Sequence, residues 1–136
     1  MKVLIMGCGR TGAAIAGQLD QDGHKVTVLD LNASQFRRLP DAFGGQMAVG
    51  NGMDTDSLER AGARDSDAFI AVTQGDNRNF FASQLAREVF GVESVICRVK
   101  DPERGEIFGH LGLQTYSPTS AGVEAMLSML VPAGRT

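Results

Sequence analysis

The residues of this chain whose types and spacing suggest ligand chemistry lie in its first thirty positions. Residues 7–12 read GCGRTG. This G-x-G-x-x-G spacing allows a tight turn and lets a pyrophosphate approach the backbone. A helix that starts at such a turn offers unpaired N–H groups and the positive end of its dipole to an anion. Arg10, inside the turn, could grip phosphate oxygens through two donors, the alternative being a solvated charge on a loop.

A carboxylate completes the pattern. Asp30 lies 18 positions after Gly12, at the end of an apolar run of strand length. At that place it could accept hydrogen bonds from both hydroxyls of a ribose, and its charge would repel a 2′-phosphate, so NAD is favoured over NADP. The first thirty residues therefore predict a nucleotide or dinucleotide site. The alternative is a glycine turn that serves only the packing of a helix on a strand.

Strands and helices that could position these groups alternate along the whole chain. Strands are predicted at 1–6, 25–30, 46–49, 67–72, 93–100 and 113–116. Helices are predicted at 11–22, 32–39, 56–61, 76–90 (with Asp76 as N-cap), 101–108 and 118–131. The alternation predicts an α/β fold with a doubly wound, Rossmann-like parallel sheet. We expect one domain over 1–131, including the terminal helix, and a tail at 132–136.

Composition narrows the function classes. The 136 residues carry a net charge of −3, and a pI of about 5.3 argues against a general nucleic-acid or anionic-membrane surface. We expect neither a transmembrane helix nor a signal peptide. Cys8 and Cys97 lack metal-site spacing, so no metal is expected and a reducing cytoplasmic location fits. Cys8 could have a lowered thiol pKa near a helix start, or be a small residue tolerated between glycines.

Polar residues and glycines follow the first five predicted strands, and parallel strands bring such residues to one edge of a sheet. They are Arg10, Asp30, Asn32, Gly50, Asn51, Gly52, Thr73, Asp76, Asn79, Arg98 and Lys100. Asn51 could bind adenine or ribose, or be a turn residue. Arg98 could contact a phosphate or a partner subunit, or form a surface salt bridge. Arg37 and Arg38 could in principle bind a 2′-phosphate, but on their helix they are expected to face solvent.

No catalytic constellation is evident. His24 precedes a strand and should lie at the opposite edge of the sheet, and His110 has no obvious carboxylate to orient it. Tyr116 is the only tyrosine, so no Tyr-x-x-x-Lys pair exists. A dehydrogenase needs an acid–base group at its nicotinamide. A binding role is therefore favoured over hydride transfer.

Taken together, the motifs resemble the RCK N-terminal (KTN, or TrkA-N) domain over residues 1–131. They are GCGRTG at 7–12, DLN at 30–32, GN at 50–51 with LERAG at 58–62, AVT at 71–73 with Asp76 and Asn79, CRV at 97–99, and Ser117 with Pro118. In this family the domain is the nucleotide-binding module of Trk and Ktr potassium-uptake regulatory subunits and of ligand-gated potassium channels. Relatives usually continue into a second, smaller ligand-binding domain.

The resemblance implies a cytoplasmic, non-enzymatic regulatory subunit that binds NAD(H) or ATP/ADP, with AMP as a further candidate. It implies dimers, with an octameric ring as one arrangement, on the inner face of a membrane potassium transporter or channel subunit. The alternative function is the cofactor-binding domain of an NAD-dependent oxidoreductase.

The resemblance also implies roles for some of the site residues. The glycine loop would hold the phosphates, and Arg10 would reach the terminal phosphate of ATP. Asp30 would bind the ribose, and Asn32 and Asn51 would lie near the nucleoside. Many relatives have Asp at the Asn51 position. The full predicted site is Gly7, Cys8, Gly9, Arg10, Thr11, Gly12, Asp30, Leu31, Asn32, Asn51, Gly52, Thr73, Asp76, Asn79 and Arg98.

The terminal helix carries an apolar stripe. Val123, Met126, Leu127, Leu130 and Val131 recur at helical spacing on one face. Such a stripe either packs on the sheet of its own chain or contacts a second subunit. In the second case a homodimer follows.

Overall fold

Six short parallel strands form the centre of the computed structural model, which describes residues 1–130. The strands are β1 (Lys2–Met6), β2 (Lys25–Asp30), β3 (Gln46–Val49), β4 (Ala68–Ala71), β5 (Ser94–Arg98) and β6 (Gln114–Tyr116). They form one sheet in the order β3-β2-β1-β4-β5-β6, in which every neighbouring pair is parallel. The chain winds outward from β1 to one edge and then from β4 to the other. The predicted doubly wound α/β fold is therefore confirmed.

Five α-helices and two 3₁₀ helices connect the strands. The α-helices are α1 (Arg10–Gln21), α2 (Thr55–Arg60), α3 (Asp76–Glu88), α4 (Pro102–His110) and α5 (Pro118–Leu130). The 3₁₀ helices are Ala33–Arg38 and Ala63–Asp65. None of the helices in the described residues combines the length and apolarity that crossing a membrane would require.

Both faces of the central strands are buried. Leu4 and Met6 of β1 pack into a core on the face covered by α2, α3 and α4. Val3 and Ile5 pack into a second core on the face covered by α1. Because successive side chains of a strand point to opposite faces, a strand buried on both sides must be apolar throughout. This is the physical reason for the continuous apolar run in β1.

The glycine turn joins β1 to α1 at the point where the strand order reverses. The N–H of Gly7 donates to the carbonyl of Leu29 at 2.8 Å, and the N–H of Val72 donates to the carbonyl of Met6 at 2.9 Å. Gly7 has a φ of +111°, a conformation that L side chains rarely adopt. A Cβ on Gly12 would lie 1.9 Å from the Gly7 carbonyl oxygen. Both glycines are thus required by the backbone itself.

Several element details differ from the sequence predictions. The segment predicted as a helix at 32–39 is a 3₁₀ helix, and the 3₁₀ helix Ala63–Asp65 was not predicted. The prediction that Asp76 caps α3 is wrong, since Gly75 is the N-cap. The Asp76 carboxylate instead accepts hydrogen bonds from the N–H groups of Lys100, at 2.8 Å, and Asp101, at 3.1 Å. A carboxylate occupied in this way is not available to cap its own helix.

Helix α5 stands apart from the core. It contains no buried residue, and Val123, Met126, Leu127 and Leu130 are 53–71% exposed. Of the two alternatives for its apolar stripe, packing on the sheet of its own chain is therefore not observed. Val131 and the predicted tail at 132–136 lie outside the described residues.

The two glycines at the start of α1 yield a matched test of the turn. We predict that Gly12→Ala lowers the free energy of unfolding by about 3 kcal/mol, because its methyl group would collide with backbone. Gly9→Ala should cost about 1 kcal/mol or less, because no protein atom lies within 4 Å of the added methyl group. Urea unfolding followed by circular dichroism measures both. Equal losses in the two variants would contradict this account of the turn.

Candidate functional site

The carboxylate of Asp30 connects the loops that follow β1 and β2. Its Oδ2 accepts a hydrogen bond from the N–H of Cys8 at 2.8 Å, and its Oδ1 accepts one from the N–H of Asn32 at 2.9 Å. Each carboxylate oxygen has two lone pairs and can accept a second hydrogen bond. Asp30 therefore fixes the glycine turn against β2 and keeps capacity for two hydroxyl donors of a ligand.

A cavity lies over the glycine turn and is called the loop cavity below. Its lining residues are Gly7, Cys8, Gly9, Arg10, Thr11, Asp30, Asn32, Gln35, Arg38, Val72, Thr73, Gln74, Arg78 and Arg98. Four of them are arginines, from α1, the first 3₁₀ helix, α3 and β5, against the single carboxylate of Asp30. The start of helix α1 lines the same cavity, and its first turn has no side-chain cap. The charges and the free N–H groups favour an anion such as a phosphate.

A second cavity, called the apolar cavity below, lies beside the first. It is lined by Met6, Gly7, Leu29, Asp30, Leu31, Gly50, Asn51, Gly52, Met53, Thr73 and Arg78. Four long apolar side chains stand in this lining, with the amide of Asn51 among them. A Cβ on Gly52 would lie 1.9 Å from Met6 Sδ, so a side chain there would collide with Met6 in the cavity lining. An apolar cleft with few polar groups suits a flat aromatic base.

Arg98 is buried at the rim of the loop cavity, with 9% of the residue exposed. Its Nη2 donates to the carbonyl of Thr73 at 2.7 Å, and its Nη1 lies 3.5 Å from Thr11 Oγ1. Its Nε is buried and has no hydrogen-bond partner among the described residues. The surface salt bridge considered from the sequence is not present among the ion pairs of residues 1–130. Contact with a phosphate or with a partner subunit stays a prediction.

Asp76 and Asn79 lie behind the two cavities and line neither of them. Asn79 Oδ1 accepts hydrogen bonds from the N–H, at 3.0 Å, and the hydroxyl, at 2.6 Å, of Thr73. Its Nδ2 donates to the carbonyls of Thr73 and Arg98, both at 3.0 Å. Both side chains are buried. The structure thus places them where they hold the loops after β4 and β5, while their predicted contact with a ligand stays a prediction.

The thiol of Cys8 belongs to the protein interior. Its side chain is fully buried in the core under α1. Burial first, and then the charge of Asp30, raise the pKa of Cys8, while the charge of Arg38 acts in the opposite direction. The lowered pKa considered from the sequence is therefore wrong. A small residue accommodated between two glycines describes Cys8 better.

Two arginines that line the loop cavity, Arg38 and Arg78, were not part of the predicted site. Arg38 is exposed, as expected, yet it also lines the loop cavity, and its Nε donates to Gln35 Oε1 at 3.1 Å. Arg78 lies in the first turn of α3 and lines both cavities. Arg78 comes two residues after Asp76, in the first helical turn that follows a predicted strand. This position could have indicated it from the sequence. His24 lies at the opposite edge of the sheet, as predicted, with its Nδ1 3.0 Å from the N-terminal nitrogen.

Comparison with known sequences identifies relatives over nearly the whole chain. The profile of the TrkA-N domain matches residues 3–117. The Trk system potassium uptake protein TrkA of Streptomyces coelicolor is 46% identical over 134 residues, which cover 98% of this chain and 60% of that protein. A TrkA homolog of Pyrococcus abyssi is 33% identical over 108 residues, which cover 79% of this chain and 48% of that protein. The chain thus spans three fifths or less of these relatives.

Solved structures share the fold at low sequence identity. The TrkA-N domain of the inner membrane protein ybaL from Escherichia coli has a TM-score of 0.85 at 17% identity and covers 96% of each chain. The Kef CTD of Shewanella denitrificans in AMP-bound form has a TM-score of 0.79 at 21% identity and covers 100% of this chain and 84% of that chain. GsuK bound to ADP has a TM-score of 0.80 at 22% identity, and the match covers 98% of this chain and 34% of that chain. The GsuK channel bound to NAD has a TM-score of 0.72 at 23% identity, and the match covers 86% of this chain and 21% of that chain.

The fold agrees with the solved structure of the ybaL TrkA-N domain, and the matched profile spans most of the chain. The chain therefore belongs to the TrkA-N domain family.

Proposed function

We propose that this domain binds an adenine nucleotide, NAD(H) or ATP/ADP with AMP as a further candidate, and thereby regulates a potassium transport system. The observation that carries the proposal is the open space at Gly9. It lies at the uncapped start of α1, in the cavity lined by four arginines and the Asp30 carboxylate. Few ligands other than a nucleotide place a polyphosphate and a vicinal diol so close together.

The two cavities suit the parts of a nucleotide. The phosphates would lie in the loop cavity against the first turn of α1, where Arg10 and Arg98 add positive charge. The ribose would lie at Asp30, which lines both cavities, and the purine in the apolar cavity near Leu31 and Asn51. The AMP, ADP and NAD bound in the structural neighbours named above belong to the same ligand class.

A regulatory role is favoured over an enzymatic one. Among the described residues that line the two cavities, none is a histidine, lysine or tyrosine that could serve as an acid–base group. The relatives are named for potassium uptake. The domain would then be cytoplasmic and act on a membrane potassium transporter or channel subunit. Ligand exchange would shift the regulatory equilibrium by about 1–3 kcal/mol, as is typical of coupled sites.

Assembly would proceed through α5. Its exposed stripe of Val123, Met126, Leu127 and Leu130 is a contiguous apolar face of the kind that monomers rarely leave in water. A second copy of the chain can cover it with the same stripe, which gives a symmetric dimer. An octameric ring would be built from such dimers.

Isothermal titration tests nucleotide binding directly. We predict that the protein binds at least one of ATP, ADP, AMP, NAD and NADH, and that Gly9→Ala weakens this binding about tenfold because the methyl group occupies the phosphate's approach. Gly109→Ala is the matched control, since its methyl group also meets open space but lies on α4, away from both cavities. Indifference of the wild-type protein to all five compounds, or NAD-dependent turnover of a small substrate, would contradict the proposal.

Light scattering after size-exclusion chromatography tests the assembly. We predict a mass of twice 14.4 kDa or a higher even multiple for the wild-type chain. Leu127→Asp is predicted to be a single copy, because the dimer would bury the stripe and burying a charge there costs several kcal/mol. Ser128→Asp, one position off the stripe, should remain associated. A monomeric wild type, or an associated Leu127→Asp variant, would show that α5 is not the contact.

A further inference from the structure

Arg78 stands at the seam between the two cavities. Gly7, Asp30, Thr73 and Arg78 line both of them, and Arg78 is the only cation of the four. Arg10 and Arg38 line the loop cavity but not the apolar cavity. The positive charges are therefore arranged in sequence along the cleft, with Arg78 nearest to the apolar end.

The side chain of Arg78 folds back over the loop after β4. A Cβ built on Gly75 would lie 2.9 Å from its Cζ and 3.1 Å from its Nε and Nη2. Glycine at 75 thus makes room for the guanidinium against the loop at the edge of the cleft. A side chain larger than hydrogen at that position would push the guanidinium away from the seam.

The guanidinium of Arg78 is not engaged by the protein. No hydrogen bond or ion pair within residues 1–130 involves it. Arg64, by contrast, is paired with Glu59 at 2.9 Å, and Arg104 lies 3.7 Å from Asp76. The donors of Arg78 remain available to a group that passes through the seam.

The chemistry of that group follows from the ligand class of the proposed function, on which this inference rests. A nucleotide that spans both cavities passes the seam between its sugar and its phosphate chain, beside the ribose-binding carboxylate of Asp30. The group at that point is the 5′-phosphate, and a guanidinium is the side chain best shaped to bind it. We propose that Arg78 binds the proximal, 5′-phosphate of the nucleotide and makes the site select phosphorylated over unphosphorylated nucleosides, while Arg10 acts on the phosphates beyond it.

The same position would also allow the guanidinium to stack on the purine, because Arg78 lines the apolar cavity as well. The two roles differ in what they recognise. A phosphate contact favours AMP over adenosine, whereas stacking favours both equally. The ratio of the two affinities therefore separates the roles.

The test measures the affinities of adenosine, AMP and ADP by competition with a fluorescent ADP analogue, for wild type, Arg78→Gln and Arg10→Gln. Arg37→Gln is the matched control, because Arg37 is an exposed arginine that lines neither cavity. Arg78→Gln is expected to lower the affinity for AMP and ADP about tenfold and the affinity for adenosine less than twofold. Arg10→Gln is expected to lower the preference for ADP over AMP and to leave the preference for AMP over adenosine unchanged. Arg78→Lys, which keeps the charge, should restore part of the AMP affinity.

Two results would overturn the inference while nucleotide binding stands. One is an equal loss for adenosine and AMP in Arg78→Gln, which would assign the guanidinium to stacking. The other is a loss of AMP affinity no larger than that of Arg37→Gln. If the wild-type protein bound none of the three compounds and none of ATP, NAD and NADH, the proposed function itself would fail, and the inference with it.

Discussion

The organisation of the carboxyl edge of the sheet depends on one charged interaction, that of the Asp30 carboxylate with two backbone N–H groups. These belong to Cys8, in the glycine turn after β1, and to Asn32, in the loop after β2. Hydrogen bonds to a charged group are among the stronger ones in proteins. By fixing the turn against β2, Asp30 sets the position at which α1 starts and leaves Gly9 facing open space. The same carboxylate both builds the cleft and lines it.

A second set of hydrogen bonds holds the other half of the edge. Asn79 joins Thr73, after β4, to the carbonyl of Arg98, at the end of β5, and Asp76 binds the N–H of Lys100. From there the hydroxyl of Thr119, in α5, donates to the carbonyl of Lys100 at 3.2 Å. The loop cavity is thus connected by direct contacts to the start of the helix that exposes an apolar stripe. This continuity is what a domain that converts ligand binding into a change of assembly would need.

The elements that local chemistry determines were predictable from the sequence. The apolar run of β1, the glycine spacing and the carboxylate at the end of β2 each follow from nearby residues. The 3₁₀ form of Ala33–Arg38 was not, because the Asn32 cap, which accepts from the N–H of Ser34, marks the start of a helix without deciding its type. The burial of Arg98 and the engagement of Asp76 by residues 24 and 25 positions away are tertiary effects. The sequence predicted the helix that carries Arg78, but not that its side chain folds back over the loop at Gly75.

The position of a bound nucleotide can be measured directly through the amide chemical shifts of the uniformly ¹⁵N-labelled protein. If ADP binds across the ends of β1 and β2, its addition should shift the amide signals of Cys8, Gly9 and Asn32. Signals at the opposite edge of the sheet, such as those of His24 and Asp67, should stay in place. Shifts confined to that opposite edge, or no shift with any of ADP, ATP, AMP, NAD and NADH at saturating concentration, would contradict the account.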